Sequence, residues 1–409
     1  MNFEHSLKAQ DYIARIKEFM RTHVEPIEQQ LYADMHVLNP GGDWKNWKLD
    51  PRIEALKEIA KGQGLWNLFL PDAELAKGLT TLEYAPLAEQ MGRTLFAPEI
   101  FNCNAPDTGN MEVLYHYGND AQKQQWLEPL LAGEIRSVFG MTEPDVASSD
   151  ATNMASTIEQ DGDEIVVNGK KWWSTGLGHP NARFTIFMGV SNPGNDRHNR
   201  HAMVIVPLDA PGLEITRMLT AYCDYDAPYG HGEMQLTNVR VPKENLIMGM
   251  GKGFEIAQGR LGPGRIHHCM RTIGLAEKAL ELAIDRGMKR VAFGSPILKL
   301  GGNGERIAKA RMAIDQARLL TLNAAWKIDA VGVKESMTEI SAIKVVVPNM
   351  AQEVVDMAVQ LHGGAGVSND FPLAHFAAGV RSLRLADGPD EVHMAMVTRL
   401  ELKKYMASK

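Results

Sequence analysis

Between about Ile135 and Gly253 the sequence loses the helical spacing that marks both of its flanks, and this interruption constrains the fold more than any other feature. Ile165-Val-Val-Asn-Gly169 follows the turn Gln160-Asp-Gly-Asp163, the pattern of a hairpin. Phe184–Met188, His201–Val206, Leu213–Thr216 and Gly232–Leu236 are further short strand-like runs between turns. Runs at that spacing predict a small antiparallel sandwich or barrel of about 110 residues. On the N-terminal side, Tyr12, Ile13, Ile16, Phe19 and Met20 recur at helical spacing, and Ile53, Leu56, Ile59 and Ala60 repeat the pattern. On the C-terminal side, Phe254 to about Arg290, Glu305 to Ile328, Thr338 to Leu361 and Asp390 to Lys404 are long and amphipathic, as in an antiparallel bundle. Pro348 is expected to kink the third of these. The order α, β, α predicts a multi-domain α+β chain: an N-terminal helical domain over 1–137, a middle antiparallel β-sandwich or barrel over 138–252, and a C-terminal four-helix bundle over 253–409.

Composition narrows the function classes. A chain of 409 residues is too long for one core. A net charge of −7 argues against nucleic acid or an anionic membrane surface as the general partner. Cys103, Cys223 and Cys269 have no paired spacing, so neither a disulfide framework nor a cysteine metal site is indicated. The first residues lack a basic stretch followed by an apolar run, and no apolar run reaches the roughly 18 residues of a membrane span. A cytoplasmic location without membrane insertion is the expectation.

Several stretches invite chemistry. Gly249-Met-Gly-Lys-Gly253, Gly301-Gly-Asn-Gly304 and Gly363-Gly-Ala-Gly366 all fail the dinucleotide-binding spacing, and none opens a βαβ unit. His198 and His201 stand in a polar loop without a carboxylate at metal spacing, so no metal site is expected. His267-His268 falls on a helix and reads as packing or surface. Met141-Thr-Glu-Pro-Asp-Val-Ala-Ser-Ser-Asp150 gathers hydroxyls and small residues at the start of the β region. It is either a capped linker or a cradle for a phosphate-bearing ligand. In Gly169-Lys-Lys-Trp-Trp-Ser-Thr-Gly176, two tryptophans beside hydroxyls make either sandwich core or a wall for a flat ring. Near the C-terminus, Asp387-Gly-Pro-Asp-Glu-Val-His393 places a carboxylate at a helix-to-helix corner, because Gly388-Pro389 breaks the backbone and Pro389 suits a new helix start. Asp387 is an N-cap or a base directed into a cavity.

Taken together and in this order, these stretches resemble the acyl-CoA dehydrogenase family of flavoproteins over nearly the whole chain. Thr142-Glu-Pro144 with Ser148-Ser149-Asp150 is similar to the family's T-E-P-G-A-G-S-D loop, with one extra residue and Asp145-Val146 in place of small residues. Lys171-Trp-Trp-Ser-Thr175 resembles K-x-W-I-T, Arg290-Val-Ala-Phe-Gly294 resembles R-x-x-F-G, and Gln360-Leu-His-Gly-Gly-Ala-Gly366 resembles Q-x-x-G-G-x-G. The usual Y-E-G-T corner, with Glu as base, reads Ala386-Asp387-Gly388-Pro389 here, one methylene shorter. That variant is similar to the branch of family members 10 and 11, without the kinase-like domain of its animal members.

The resemblance implies FAD as cofactor, an acyl-CoA substrate and α,β-dehydrogenation with Asp387 as base. It implies that Met141 and Thr142 meet the flavin pyrimidine edge, that Ser149 reaches the pyrophosphate, and that Trp173 packs on the ring with Thr175 near its N5. It implies that Arg290, Phe293, Gln360, Gly363 and Gly364 bind the FAD of a neighbouring subunit, hence a homodimer or homotetramer with a shared site. Ser148, Arg265 and Gly388 would lie along the acyl-CoA path, and an electron-transfer flavoprotein would be the acceptor. Nitroalkane oxidases share this fold and an Asp base, so a flavin oxidase of that type is a second expectation. A non-catalytic helical interaction protein is a third.

Overall fold

The computed structural model describes residues 4–409. Two compact units are built from interleaved stretches of chain: Met1–Asp34, Leu56–Cys103 and Gly262–Lys409 form the first, and Met35–Ala55 with Asn104–Leu261 the second.

The first unit is helical. Leu7–Phe19 packs on Thr81–Met91, burying Ile16 and Phe19. Thr80 and Glu83 close a capping box that satisfies two amides at the start of the second of these helices. Thr81–Met91 also contacts Asn303–Val331. The Met337–His362 helix is the hub, touching Asn303–Val331, Leu373–Leu383 and Asp390–Ala407. Its buried stripe runs from Ile340 through Ile343, Val347, Ala351, Val354 and Ala358 to Leu361, the spacing that turns one apolar face toward its neighbours. Pro348 is buried inside this helix, as expected, and the helix continues for fourteen residues beyond it to His362.

The second unit is a seven-stranded sheet comprising β1 (Arg136–Gly140), β2 (Thr157–Asp161), β3 (Glu164–Thr175), β4 (Ala182–Val190), β5 (His201–Pro207), β6 (Leu213–Leu219) and β7 (His231–Pro242). The order is β1-β4-β2-β3-β7-β6, with β5 also paired to β4. The β2–β3 hairpin turns at Gly162, with Asp161 opposite Glu164. Most pairs are antiparallel, but β1 runs parallel to β4, with Phe139 opposite Ile186. Val138, Ile158, Val167, Phe187, Val204, Val206, Met234 and Val239 meet in one core, to which Trp47 adds its indole. Alternation along the strands produces that core, since successive side chains leave opposite faces.

Candidate active site

Within the second unit, strand β3 is interrupted where the two tryptophans occur. Its ladder to β7 slips between Lys171 and Ser174, and Trp173 has a positive φ of 52°. A bulge of this kind re-aims one side chain. Trp173 is left 41% exposed while its neighbours Lys171 and Ser174 are buried. Thr175, two residues on, has its Oγ1 3.0 Å from His231 Nδ1. His231 Nε2 in turn lies 3.4 Å from an Asp226 carboxylate oxygen, and the Trp173 and His231 ring centroids are 5.7 Å apart. A half-exposed indole, a hydroxyl and an imidazole–carboxylate pair thus share one end of β3.

The 141–156 segment is fastened to the same strand from inside. Lys171 Nζ donates to Met141 O at 3.0 Å and to Glu143 Oε1 at 2.7 Å. Glu143 also accepts from Ala155 N (2.7 Å) and Ser156 N (3.1 Å). Trp172 N donates to Thr142 O at 3.0 Å. Burial alone would raise the Glu143 carboxyl, but Lys171 and these hydrogen bonds outweigh it and hold it below its ordinary range. Burial pulls the Lys171 ammonium down to about 8 against the pull of Glu143. Ser148 braces the loop, its Oγ accepting from Glu143 N at 2.8 Å. Ser149 is exposed beside it, and Met141 and Thr142 are half-buried.

Within the first unit, Asp387 sits between the Leu373–Leu383 and Asp390–Ala407 helices with a φ of 56°. The left-handed region is one Asp tolerates but does not prefer. Three elements hold it there. Arg265, on Gly253–Lys289, donates from Nε to Asp387 O at 3.0 Å, and His393 Nε2 is 3.2 Å from the same carbonyl. A carbonyl only accepts, so that His393 nitrogen carries the proton. Lys344, on Met337–His362, donates to Leu383 O and lies 3.4 Å from Gly388 O. Arg384 Nη2 is 2.7 Å from Asp390, fastening the corner to the next helix. Gly388 has a φ of 104°, and a Cβ there would stand 2.9 Å from His393 Nε2. The Asp387 side chain is 21% exposed, and its Oδ2 lies 3.5 Å from His268 Nε2. Burial lowers Lys344 and Arg265 and brings His393 down to about 4, the last helped by the charges of Arg265 and Lys344.

Of the remaining residues singled out in the sequence, the candidate cofactor contacts near the C-terminus lie elsewhere in the first unit, and His198 and His201 lie in the second. Arg290 and Phe293 flank the small hairpin of β8 (Val291–Ala292) and β9 (Ser295–Pro296), and Phe293 at its tip is 97% exposed. Gln360, Gly363 and Gly364 are exposed where Met337–His362 ends, with Gly363 at a φ of 62°. Arg265, expected along a substrate path, is buried and bonded to the Asp387 backbone. The histidine pair divides. His267 packs against the Tyr84 and Phe69 rings, with burial bringing it down to about 3, whereas His268 faces Asp387. Of the other pair, His201 is buried on β5 while His198 stacks on Phe254. Sequence reasoning read His268 as packing or surface, named Glu143 and His393 only as members of longer stretches, and passed over Lys344. No local signal pointed to His268 or Lys344 as neighbours of Asp387, because helices far apart in sequence bring them there.

Family profiles cover the chain almost end to end: acyl-CoA dehydrogenase N-terminal domain over 8–134, middle domain over 138–239 and C-terminal domain over 251–401. Acyl-CoA dehydrogenase family member 11 of Rattus norvegicus is 50% identical over 403 residues, 98% of this chain and 51% of that protein. The chain thus spans about half the length of the curated relatives it matches first. "Probable acyl-CoA dehydrogenase FadE2" of Mycobacterium tuberculosis is 49% identical over 405 residues, 99% of this chain and 98% of its own length. A solved acyl-CoA dehydrogenase-family structure from Mycobacterium abscessus superposes with a TM-score of 0.95 at 58% identity, covering 98% of this chain and 100% of that one. With all three domain profiles matched in order and relatives near 50% identical over its whole length, this chain belongs to the acyl-CoA dehydrogenase family.

Proposed function

We propose that this chain, as an FAD-dependent acyl-CoA dehydrogenase, converts an acyl-CoA thioester to the trans-2-enoyl-CoA, with Asp387 removing the α-proton. The observation that carries this reading is the corner itself. A carboxylate stands on a left-handed residue whose carbonyl is held by both Arg265 and His393. Positive-φ residues at such a cost cluster where function needs the geometry.

The residues of the second unit fit a flavin. Trp173 offers a half-exposed aromatic face, the Thr175 hydroxyl stands two residues away, and the backbone at Met141 and Thr142 is clamped by Lys171 and Trp172. Trp173, Thr175, Met141, Thr142 and Ser149 would hold it. Bound FAD would supply the acceptor for the β-hydrogen and its electron pair. The chain's own residues do the rest. The α C–H proton passes to the Asp387 carboxylate. A free Asp, with a reference pKa of about 3.9, is a weak base for a carbon acid, so the acyl chain must exclude water from it. Hydrogen-bond donors at the thioester carbonyl would stabilise the developing enolate. Arg265, His393 and Lys344 act through the backbone of the corner and keep the base in place.

The same reading assigns Arg290, Phe293, Gln360, Gly363 and Gly364 to the cofactor of a neighbouring subunit, in a homodimer or homotetramer. A phenyl ring 97% exposed at a hairpin tip supports it. Ser148 and Gly388 are proposed to border the acyl-CoA, the domains to divide at 137 and 252, and the electron acceptor to be an electron-transfer flavoprotein. Among the described residues no helix is long and apolar enough to cross a membrane, and the cytoplasm is the proposed location.

The test is flavin bleaching. FAD-loaded protein is mixed without oxygen with acyl-CoAs of graded length and branching. Bleaching by one class is expected, slowed by about 10³-fold or more in Asp387→Asn with flavin content unchanged. Bleaching by nitroalkanes alone, or full activity in Asp387→Asn, overturns the proposal.

A further inference from the structure

Gly264, Arg265, His268 and Arg271 follow one another along Gly253–Lys289, and the Asp387 corner lies against this stretch. Gly264 and His268 are one turn apart and so share a face. A Cβ at 264 would stand 3.6 Å from Asp387 Oδ2, and His268 Nε2 is 3.5 Å from the same oxygen. The carboxylate therefore lies over Gly264 with its outer oxygen toward the imidazole.

The other face of that imidazole decides its protonation. Arg271 Nη2 is 3.2 Å from His268 Nδ1, and Arg271 Nη1 donates to Cys103 O at 3.0 Å. A guanidinium has donors only, so Nδ1 is the acceptor, and the neutral ring carries its one proton on Nε2, toward Asp387. The ring is thus oriented by a fixed cation on one side and offers a donor on the other.

We propose that His268, with its tautomer set by Arg271, is a positioning residue for the base: its Nε2–H holds Asp387 Oδ2 and fixes the carboxylate on the helix face before substrate arrives. This rests on Asp387 being the base. At 3.5 Å the contact is longer than a formed hydrogen bond, and such catalytic contacts tighten when substrate binds. The groups around the pair are Arg265, Cys269 and Arg271 on the same helix, Lys344 on Met337–His362, Arg384 before the corner, Asp390 and His393 after it, and Tyr84 and Cys103 behind Arg271. Among the cationic and imidazole groups of this set, Arg265 and His393 contact the Asp387 carbonyl, whereas His268 approaches its carboxylate.

Two substitutions separate orientation from packing. Gln at 268 can accept from Arg271 with its oxygen and donate to Asp387 with its nitrogen, whereas Leu fills a comparable volume with no polar atom. Flavin content and thermal midpoint first establish that His268→Gln and His268→Leu fold and load. In anaerobic bleaching across pH, His268→Leu should lose about 10²-fold in limiting rate with acyl-CoA affinity little changed. Its acid limb should move to higher pH, because a donor that favours the carboxylate is gone. His268→Gln should recover most of the rate. Independently of turnover, ¹⁵N spectra of histidine-labelled wild type should show the resonance that His268→Gln removes as the Nε2–H tautomer, and Arg271→Met should disturb it.

A wild-type rate and pH profile in His268→Leu, or an Nδ1–H tautomer at 268, overturns the inference. If neither variant folds, the histidine resonance that Arg271→Met shifts through loss of its Nδ1 contact identifies His268 in the wild-type spectrum and still decides the tautomer. Wild-type flavin that no acyl-CoA bleaches sinks the enzyme reading instead, a result distinct from a bleached wild type indifferent to residue 268.

Discussion

At residue 387 the chain accepts a conformation it does not prefer, and residue 388 shows how tightly. Gly388 holds a φ of 104°, in a region L side chains rarely adopt, and His393 leaves no room for a Cβ. Gly388→Ala should therefore destabilise the first unit by roughly 1–3 kcal/mol. It should also slow flavin reduction, because relieving the clash moves His393 off the Asp387 carbonyl. Chemical denaturation beside single-turnover reduction measures both. A variant with wild-type stability and rate would show that the corner is not held as described. The corner was legible in the sequence because Gly388-Pro389 is a local backbone signal. The carboxylate's neighbours were not legible. Arg265, His268, Lys344 and His393 come from three helices, and only their packing brings them to Asp387.

Strands and helices were more readable where their signal was periodic. Phe184–Met188 and His201–Val206 fall inside β4 and β5, since continuous apolar runs between turns describe strands buried on both faces. Strand β1 escaped because it begins with Arg136 and Ser137, both buried. Asp107 makes that burial possible, accepting from Ser137 N at 2.8 Å and Ser137 Oγ at 2.7 Å, with Arg136 Nη1 at 3.4 Å. A polar strand start stabilised by a distant helix leaves no periodic trace. The same holds for the link between β3 and the 141–156 segment. Lys171 is fully buried, so removing it strands the Glu143 carboxylate with two backbone amides and no cation. Lys171→Met should cost about 3–5 kcal/mol, as breaking one side of a buried pair does. It should also weaken FAD retention by releasing Met141 O. Adding Glu143→Gln should restore part of the stability, because the amide no longer buries a charge. Denaturant midpoints and flavin content after gel filtration give both readouts. Equal losses in the single and double variants would mean that the charge pair is not what fastens the loop.

Among the described residues, acid sensitivity is written most strongly into three of the buried histidines: His201 in the second unit, His267 and His393 in the first. Burial brings them to about 4, 3 and 4, against an ordinary value of 6.5. For each, the unfolded chain takes up its proton near pH 6.5 while the folded chain resists until pH 3–4. Between those limits the unfolded state binds more protons, so stability falls as pH drops through about 6.5 and is unaffected above it. His201 isolates the effect, since both its ring nitrogens are buried and, among the described residues, have no hydrogen-bond partner. His201→Leu removes one proton from the difference and two unsatisfied polar atoms from the core. Stability at pH 7.5 should be unchanged or higher, and the loss between pH 6.5 and 4.5 should shrink by up to about 3 kcal/mol. Two compact units need not unfold together, so far-ultraviolet dichroism and tryptophan fluorescence should both be followed. An identical acid slope in variant and wild type would show that His201 already exchanges its proton in the folded chain, and would move the acid-labile element to His267 and His393 in the helical unit.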